Sequence, residues 1–92
     1  MKKHIGNIAV DSGQIMIVDP CYVLDGKSAK EDEDLYQKTC DITLKKTYGE
    51  VTFSGKAGNG VVSQTFDGDG FYRVYAEVDK NGNPERIIIE LT

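Results

Sequence analysis

The sequence predicts a single mainly β domain over residues 1–92, built as a small antiparallel sandwich or barrel of about six strands with one short helix. Three observations indicate this fold class. Short segments alternate apolar and polar residues, turns rich in Gly, Asn and Asp separate them, and only one stretch is rich in helix-forming residues. The length of 92 residues is typical of one domain.

The first two strands are predicted on either side of a tight turn. Residues 5–11 carry apolar side chains on one face, and residues 14–18 are almost continuously apolar. The intervening residues 11–14 are typical of a turn, because Gly tolerates positive φ and Asp and Ser bond to their own backbone. The two strands are therefore expected to pair as a hairpin. Pro20, which lacks an N–H, should end the hydrogen-bond ladder of the second strand or place that strand at an edge.

The single helix is predicted over residues 30–38, where good helix formers follow one another. Ser28 is a suitable N-cap, and a Glu follows it three residues later. The carboxylates at the start of this helix would lie near the positive end of its dipole. The side chains expected to face the core are Leu35, Tyr36 and Cys40.

Four further strands are predicted, over residues 47–54, 61–66, 71–78 and 86–91. The turns between them are glycine-rich at residues 55–60, Asp-Gly-Asp-Gly at 67–70, and Asn-Gly at 79–85. The third of these strands alternates most clearly. Its inward residues are expected to be Tyr72, Val74, Ala76 and Val78, and its outward polar residues Arg73 and Glu77.

Charge and composition narrow the functional classes. The chain has 11 Lys and Arg against 15 Asp and Glu, and a net charge of −4 argues against bulk binding of nucleic acid, although a local basic pocket is still allowed. No segment approaches the ~20 apolar residues of a membrane span. Two cysteines, Cys21 and Cys40, are too few for a disulfide scaffold. One bridge between them is geometrically possible, but free thiols in a cytoplasmic protein are the favoured expectation. No cofactor is predicted.

Two acidic turns are the first candidate sites. Asp67 and Asp69 alternate as calcium ligands do, but the next alternate position is Phe71 and the twelfth position of the loop is Val78, so a hairpin turn is the favoured interpretation. The other turn, Asp19-Pro20-Cys21-Tyr22, carries a thiol beside a carboxylate. The candidate ligand-binding residues are Asp19, Cys21, Tyr22, Asp67 and Asp69 of these turns, together with Lys56 and Arg73.

Cys21 could act as a nucleophile if a base lowered the pKa of its thiol. The only imidazole belongs to His4, and the predicted hairpin would bring His4 near Cys21. The alternative, a Cys packed as a small apolar residue, is favoured because Asp19 would raise the pKa of the thiol. A zinc site from these residues lacks any paired ligand spacing, and no metal or catalytic residue is assigned.

The glycine-rich residues 55–60 could bind a phosphate through backbone N–H groups and Lys56, although they lack the end of a P-loop and a hairpin loop is the favoured interpretation. Phe71 and Tyr75 are predicted to share the outward strand face with Arg73. Exposed aromatic side chains beside an Arg often mark a contact surface. This face is therefore the second candidate binding surface.

A resemblance to known proteins rests on three segments of the sequence. They are Asp11-Ser12-Gly13, Asp19-Pro20-Cys21-Tyr22 and the late Gly68-Asp69-Gly70-Phe71-Tyr72-Arg73-Val74. These segments resemble those of small uncharacterised proteins of bacteria and their phages, which carry "DSG…DPCY" and "GDGxYxV". The extra aromatic residue in the late segment departs from that pattern. The resemblance implies a β-rich fold and a phage or mobile-element setting, and it implies no activity.

The favoured hypothesis is a small accessory binding protein that sequesters a small anionic, nucleotide-like ligand or blocks a host protein. The alternatives are a minor structural or assembly protein, and a hydrolase or transferase that uses Cys21 with His4 or a metal held by Asp19, Asp67 and Asp69. Exposed strand edges would also allow a homodimer.

Overall fold

The computed structural model describes residues 1–20, 29–53 and 58–92. These described residues form six strands and one helix: β1 (Lys2–Val10), β2 (Gln14–Ile17), α1 (Ala29–Lys46), β3 (Tyr48–Phe53), β4 (Gly58–Gln64), β5 (Gly70–Val78) and β6 (Pro84–Ile89). The described strands form two separate antiparallel three-stranded sheets and no closed barrel. The mainly β class is confirmed. Residues 1–13 and 65–92 form one compact unit, and residues 14–64 form a second.

The first unit contains the sheet β1-β5-β6. Its central strand, β5, pairs with β1 from Lys2↔Glu77 to Val10↔Gly70, with a bulge at Ile5. Alternation along these strands places Val10, Tyr72 and Ala76 on one face, where all three are buried. The predicted inward residues of this strand are therefore confirmed for its two buried members.

The turn between β5 and β6 is held by a carboxylate. Asp79 Oδ1 accepts the backbone N–H groups of Asn81 at 2.8 Å and Asn83 at 2.9 Å, and Gly82 has a φ of +85°. The N–H of Asn83, followed by that of Asn81, lowers the pKa of Asp79 below its ordinary value. The Asn-Gly turn predicted here is confirmed.

The second unit contains the sheet β2-β4-β3, with α1 packed against β3 and β4. The register Gly49↔Val62 places Gly49 on the helix-facing side, and a Cβ atom added there would lie 2.9 Å from Ile42 Cγ2. The glycine therefore permits the close approach of helix and sheet. Val51 and Val62 are almost completely buried in this unit.

A polar network joins α1 to the sheet. Gln14 donates through Nε2 to Thr39 Oγ1 at 3.1 Å, and its Oε1 accepts the hydroxyl of Thr43 at 3.0 Å. Gln64 Nε2 donates to the backbone carbonyl of Thr43 at 2.6 Å. Thr39 and Thr43 are both buried, so the face of the helix that contacts the sheet is partly polar and its hydrogen bonds are satisfied within the network.

The helix is longer than predicted. It has 18 residues and ends at Lys46, with Lys45 and Lys46 near the negative end of its dipole. The expectation that Tyr36 faces the core is wrong, since 55% of its surface is exposed. The helix ends because Thr47 adopts a φ of 74°, and its N–H donates to Thr43 O at 3.2 Å. No helix among the described residues is long and apolar enough to cross a membrane.

The predicted hairpin of the first two strands is wrong. β1 pairs with β5, whereas β2 pairs with β4 in the other sheet. The turn at residues 11–13 has the expected Gly13 with a φ of 70°, but it directs the chain from one sheet to the other. The N–H of Thr65 donates to Gly13 O at 3.0 Å, so the segment that follows β4 runs beside the segment that follows β1.

Replacing Gly49 with Ala should lower the free energy of unfolding by about 1–3 kcal/mol, because the added methyl group overlaps the branched side chain of Ile42. Urea unfolding measures this change. Gly6→Ala is the matched control: Gly6 also lies in a strand, and a Cβ atom added there would have nothing within 4 Å. Equal effects of the two substitutions would contradict the close approach of α1 to β3.

Asp79→Asn should destabilise the protein at pH 7 and lose its effect in acid. The folded state lowers the pKa of Asp79 below its unfolded value of 3.8. The ionised carboxylate therefore contributes stability at pH values above 3.8, and this contribution disappears as the pH falls through the folded pKa. Urea midpoints at pH 7 and at about pH 2 compare the two proteins. A difference that persists unchanged in acid would argue against a role for the charge.

Candidate functional site

The predicted ligand-binding residues do not all fall within the described ranges. Cys21, Tyr22 and Lys56 lie outside them. Asp19 is exposed in the second unit, and Asp67, Asp69 and Arg73 are exposed in the first. The structure therefore places the candidate residues that it describes in two different units.

The acidic turn at residues 67–70 is organised around the carbonyl of Gly68. This oxygen accepts the hydroxyl groups of Thr65 and Tyr72, each at 2.5 Å, and Gly68 has a φ of +76°. Both donors are buried side chains, whereas the carboxylates of Asp67 and Asp69 are exposed. The turn itself is confirmed, but its description as a hairpin is wrong, because β4 and β5 belong to different sheets.

The proximity predicted for Cys21 and His4 depended on a β1–β2 hairpin, which does not form. His4 lies opposite Tyr75 of β5. His4 Nε2 instead donates to Asn7 Oδ1 at 2.9 Å. In the described part of the chain, Cys40 is a free thiol, and its sulfur accepts a hydrogen bond from Gln14 at 3.5 Å. No group of three side chains suited to a metal ion occurs among the described residues.

The outward surface of the first sheet collects aromatic and charged side chains from three strands. Alternation along the paired strands puts these residues on the side opposite buried Tyr72 and Ala76. We call this surface the outer face. It consists of Lys2, His4, Asn7 and Ala9 of β1, Phe71, Arg73, Tyr75 and Glu77 of β5, and Arg86 and Ile88 of β6.

The two aromatic rings of the outer face differ in what surrounds them. Phe71 is 80% exposed, and the residue opposite it in β1 is the small Ala9. Tyr75 is partly covered: Lys2 Nζ lies 4.4 Å from its ring centroid, and the His4 ring lies 5.5 Å away, centroid to centroid. A cation over an aromatic face is attracted to it. Phe71 is therefore the more accessible of these two rings.

Among the described residues, one arginine of the outer face is paired with a carboxylate and the other is not. Arg86 binds Glu77, and this hydrogen bond and the charge of Arg86 together lower the pKa of Glu77. Arg73 forms no ion pair in the described part of the chain. Glu90 is its neighbour through a backbone hydrogen bond, from Glu90 N–H to Arg73 O at 3.0 Å. The Arg73 guanidinium therefore retains donors that could bind a ligand.

The second unit has a different open surface. On the side of its sheet away from the helix, a groove of about 340 Å³ is lined by apolar side chains, chiefly Ile15, Ile17, Val61 and Tyr48. Among the described residues that line this groove, Glu50 is the only charged one. Few groups are thus available there to orient a polar ligand, and the outer face is the better candidate.

The sequence does not reveal which strand pairs with β5 at this site. Phe71, Arg73 and Tyr75 were predicted to share a face from alternation alone, and Arg73 and Phe71 are exposed as expected. Lys2 and Asn7 join them only because β1 pairs with β5. No pattern within β1 indicates that partner.

Comparison with protein-family models, with curated proteins and with solved structures finds no match. Function is therefore inferred from the residues and their placement.

Tyr72→Phe should lower the free energy of unfolding by about 0.5–1.5 kcal/mol, since it removes one of the two hydroxyl donors to Gly68 O. Thr65 still satisfies the carbonyl, which favours the low end of that range. Tyr75→Phe is a suitable control, with an expected change within about 0.5 kcal/mol for a surface position. If both variants unfold at the same urea concentration as the native protein, the Tyr72 hydroxyl does not stabilise the turn.

Proposed function

We propose that this chain is a small accessory binding protein, in the phage or mobile-element setting that its motifs imply, and that its outer face holds a small anionic ligand or a surface of a host protein. The observation that carries the proposal is the exposure of Phe71, at 80%, beside the unpaired Arg73 within the described residues. An accessible aromatic ring next to a guanidinium is the combination enriched at binding surfaces.

Rigid support for these side chains favours binding as well. Arg73 and Tyr75 belong to the central strand, which is hydrogen-bonded on both sides, by β1 and by β6. The opposite side of the same strand is anchored by buried Tyr72 and Ala76. Side chains on such a strand lose less freedom on binding than those of a mobile loop, which reduces the entropic cost.

The ligand-binding residues predicted at Cys21, Tyr22 and Lys56 remain predictions, because they lie outside the described residues. A structural or assembly role and a Cys/His or metal-dependent hydrolase remain the alternatives. No contact among the described residues favours either of them over binding.

The test compares two phenylalanines of equal exposure. Phe71 is 80% exposed on the outer face, and Phe66 is 82% exposed near the acidic turn. The native protein, Phe71→Ala and Phe66→Ala are each incubated with bacterial extract, retained small molecules and proteins are identified by mass spectrometry, and each is then tested as a purified component. Phe71→Ala should weaken binding by at least about fivefold, since a buried aromatic contact at an interface contributes upwards of about 1 kcal/mol.

The Phe66→Ala protein should bind as the native protein does. Retention of the same component with the same affinity by all three proteins would place the binding surface elsewhere. If the native protein retains nothing, and a thermal-shift screen with nucleotides and other anionic metabolites is also empty, the proposed function is wrong.

A further inference from the structure

We infer that the outer face binds a mononucleotide, with its base stacked on Phe71 and its phosphate held by Arg73 and Asn7. This inference rests on the proposed function and names the ligand class for the same surface. It depends on three features of the described residues: one accessible ring, one guanidinium without an ion pair, and one amide beside it.

The base would stack on Phe71. Its ring is 80% exposed, and the neighbouring side chain across the strand pair is only a methyl group, that of Ala9. A flat, uncharged ring with open space on one side accepts any nucleobase, because every base has a π-face. The outer face thus offers stacking without a preference for one base.

The phosphate would bind at the next row of the sheet. Arg73 follows Phe71 by two residues on the same side of β5, a spacing of about 6.5 Å, which corresponds to the separation of base and phosphate across one sugar. Asn7 lies opposite Arg73 in β1, and its Oδ1 already accepts a hydrogen bond from His4. The Asn7 amide group is thereby oriented with its N–H donors available, and guanidinium and amide donors can bind one phosphate together.

One nucleotide fits better than a longer strand. A single strand that followed β5 would need a second stacking ring at Tyr75, but Lys2 lies over that ring at 4.4 Å and His4 contacts it. Beyond Tyr75 a further phosphate would meet Glu77, whose carboxylate is bound to Arg86. Among the described residues of the outer face, one uncovered ring and one guanidinium without an ion pair therefore match one base and one phosphate.

Glu90 allows a test of whether the outer face binds an anion at Arg73. Its backbone lies beside Arg73, so its carboxylate lies on the same side of the sheet and repels a bound phosphate. Replacing it with Gln removes this repulsion without removing a donor. A site that binds an anion at Arg73 should therefore bind more tightly in Glu90→Gln, whereas a site for a cation or an apolar ligand should not.

The experiment titrates the folded protein with AMP, GMP, CMP and UMP, and with adenosine and inorganic phosphate as the separated halves of the ligand. Binding is followed by backbone amide NMR shifts and by calorimetry. The variants are Phe71→Ala, Arg73→Gln and Glu90→Gln, with Phe66→Ala and Lys45→Gln as controls for an exposed ring and an exposed cation away from the outer face.

The expected result is saturable binding of the mononucleotides with amide shifts centred on residues 7–9 and 71–73, and weaker binding of adenosine and of phosphate alone. Phe71→Ala should raise the Kd roughly 5- to 100-fold through lost stacking. Arg73→Gln should raise it roughly 10-fold or more through the lost charge-assisted hydrogen bonds. Glu90→Gln should lower it a few-fold, and both controls should match the native protein.

Three outcomes would overturn the inference. Mononucleotides that bind with unchanged affinity to Phe71→Ala and Arg73→Gln would bind at another place. Mononucleotides that fail to bind, while a component identified by mass spectrometry still depends on Phe71, would exclude this ligand class and leave the proposed binding function intact. Loss of both kinds of binding would remove the proposed function as well.

Discussion

The pairing of β1 with β5 is the interaction on which the first unit depends. It joins the start of the chain to a strand near its end, from Lys2↔Glu77 to Val10↔Gly70, so a long loop has to be closed before the ladder forms. The backbones of Met1 and Val78 extend the pairing with two reciprocal hydrogen bonds of 2.9 Å. Non-local pairing of this kind is slow to form, and here it also determines which side chains meet on the outer face.

Strand positions could be predicted because alternation and turn residues are local signals, whereas strand partners could not. The Ser12-Gly13 turn has the composition of a hairpin turn and the expected positive φ at Gly13, yet it leads from one sheet into the other. Nothing in the composition of a turn specifies which sheet the following strand joins. The helix was underestimated for a related reason, since its contact face carries buried Thr39 and Thr43 in place of the apolar residues that reveal an amphipathic helix.

The candidate site shows the same division. The aromatic and cationic residues of β5 could be recognised from the sequence, because a strand presents every second side chain to one face. The groups that β1 contributes could not. The acidic turn carries two carboxylates, but its geometry depends on the Gly68 carbonyl, which accepts hydrogen bonds from the Thr65 and Tyr72 hydroxyls. The exposed Asp67 and Asp69 take no part in those bonds.

The proposed mononucleotide site would select its ligand by charge and by size. The net charge of −4 repels extended polyanions, and the next charged side chain of β5 after Arg73 is Glu77, whose carboxylate is bound to Arg86. A long nucleic acid would therefore gain a favourable phosphate contact at Arg73 and none from the Glu77–Arg86 pair. In the proposed mode, a mononucleotide would contact only the Phe71 and Arg73 rows. The net charge would then oppose its binding less than that of a polyanion, while Glu90 would still repel its phosphate. The negative charge of the protein would thus weaken the binding of longer polyanions without adding affinity for the mononucleotide.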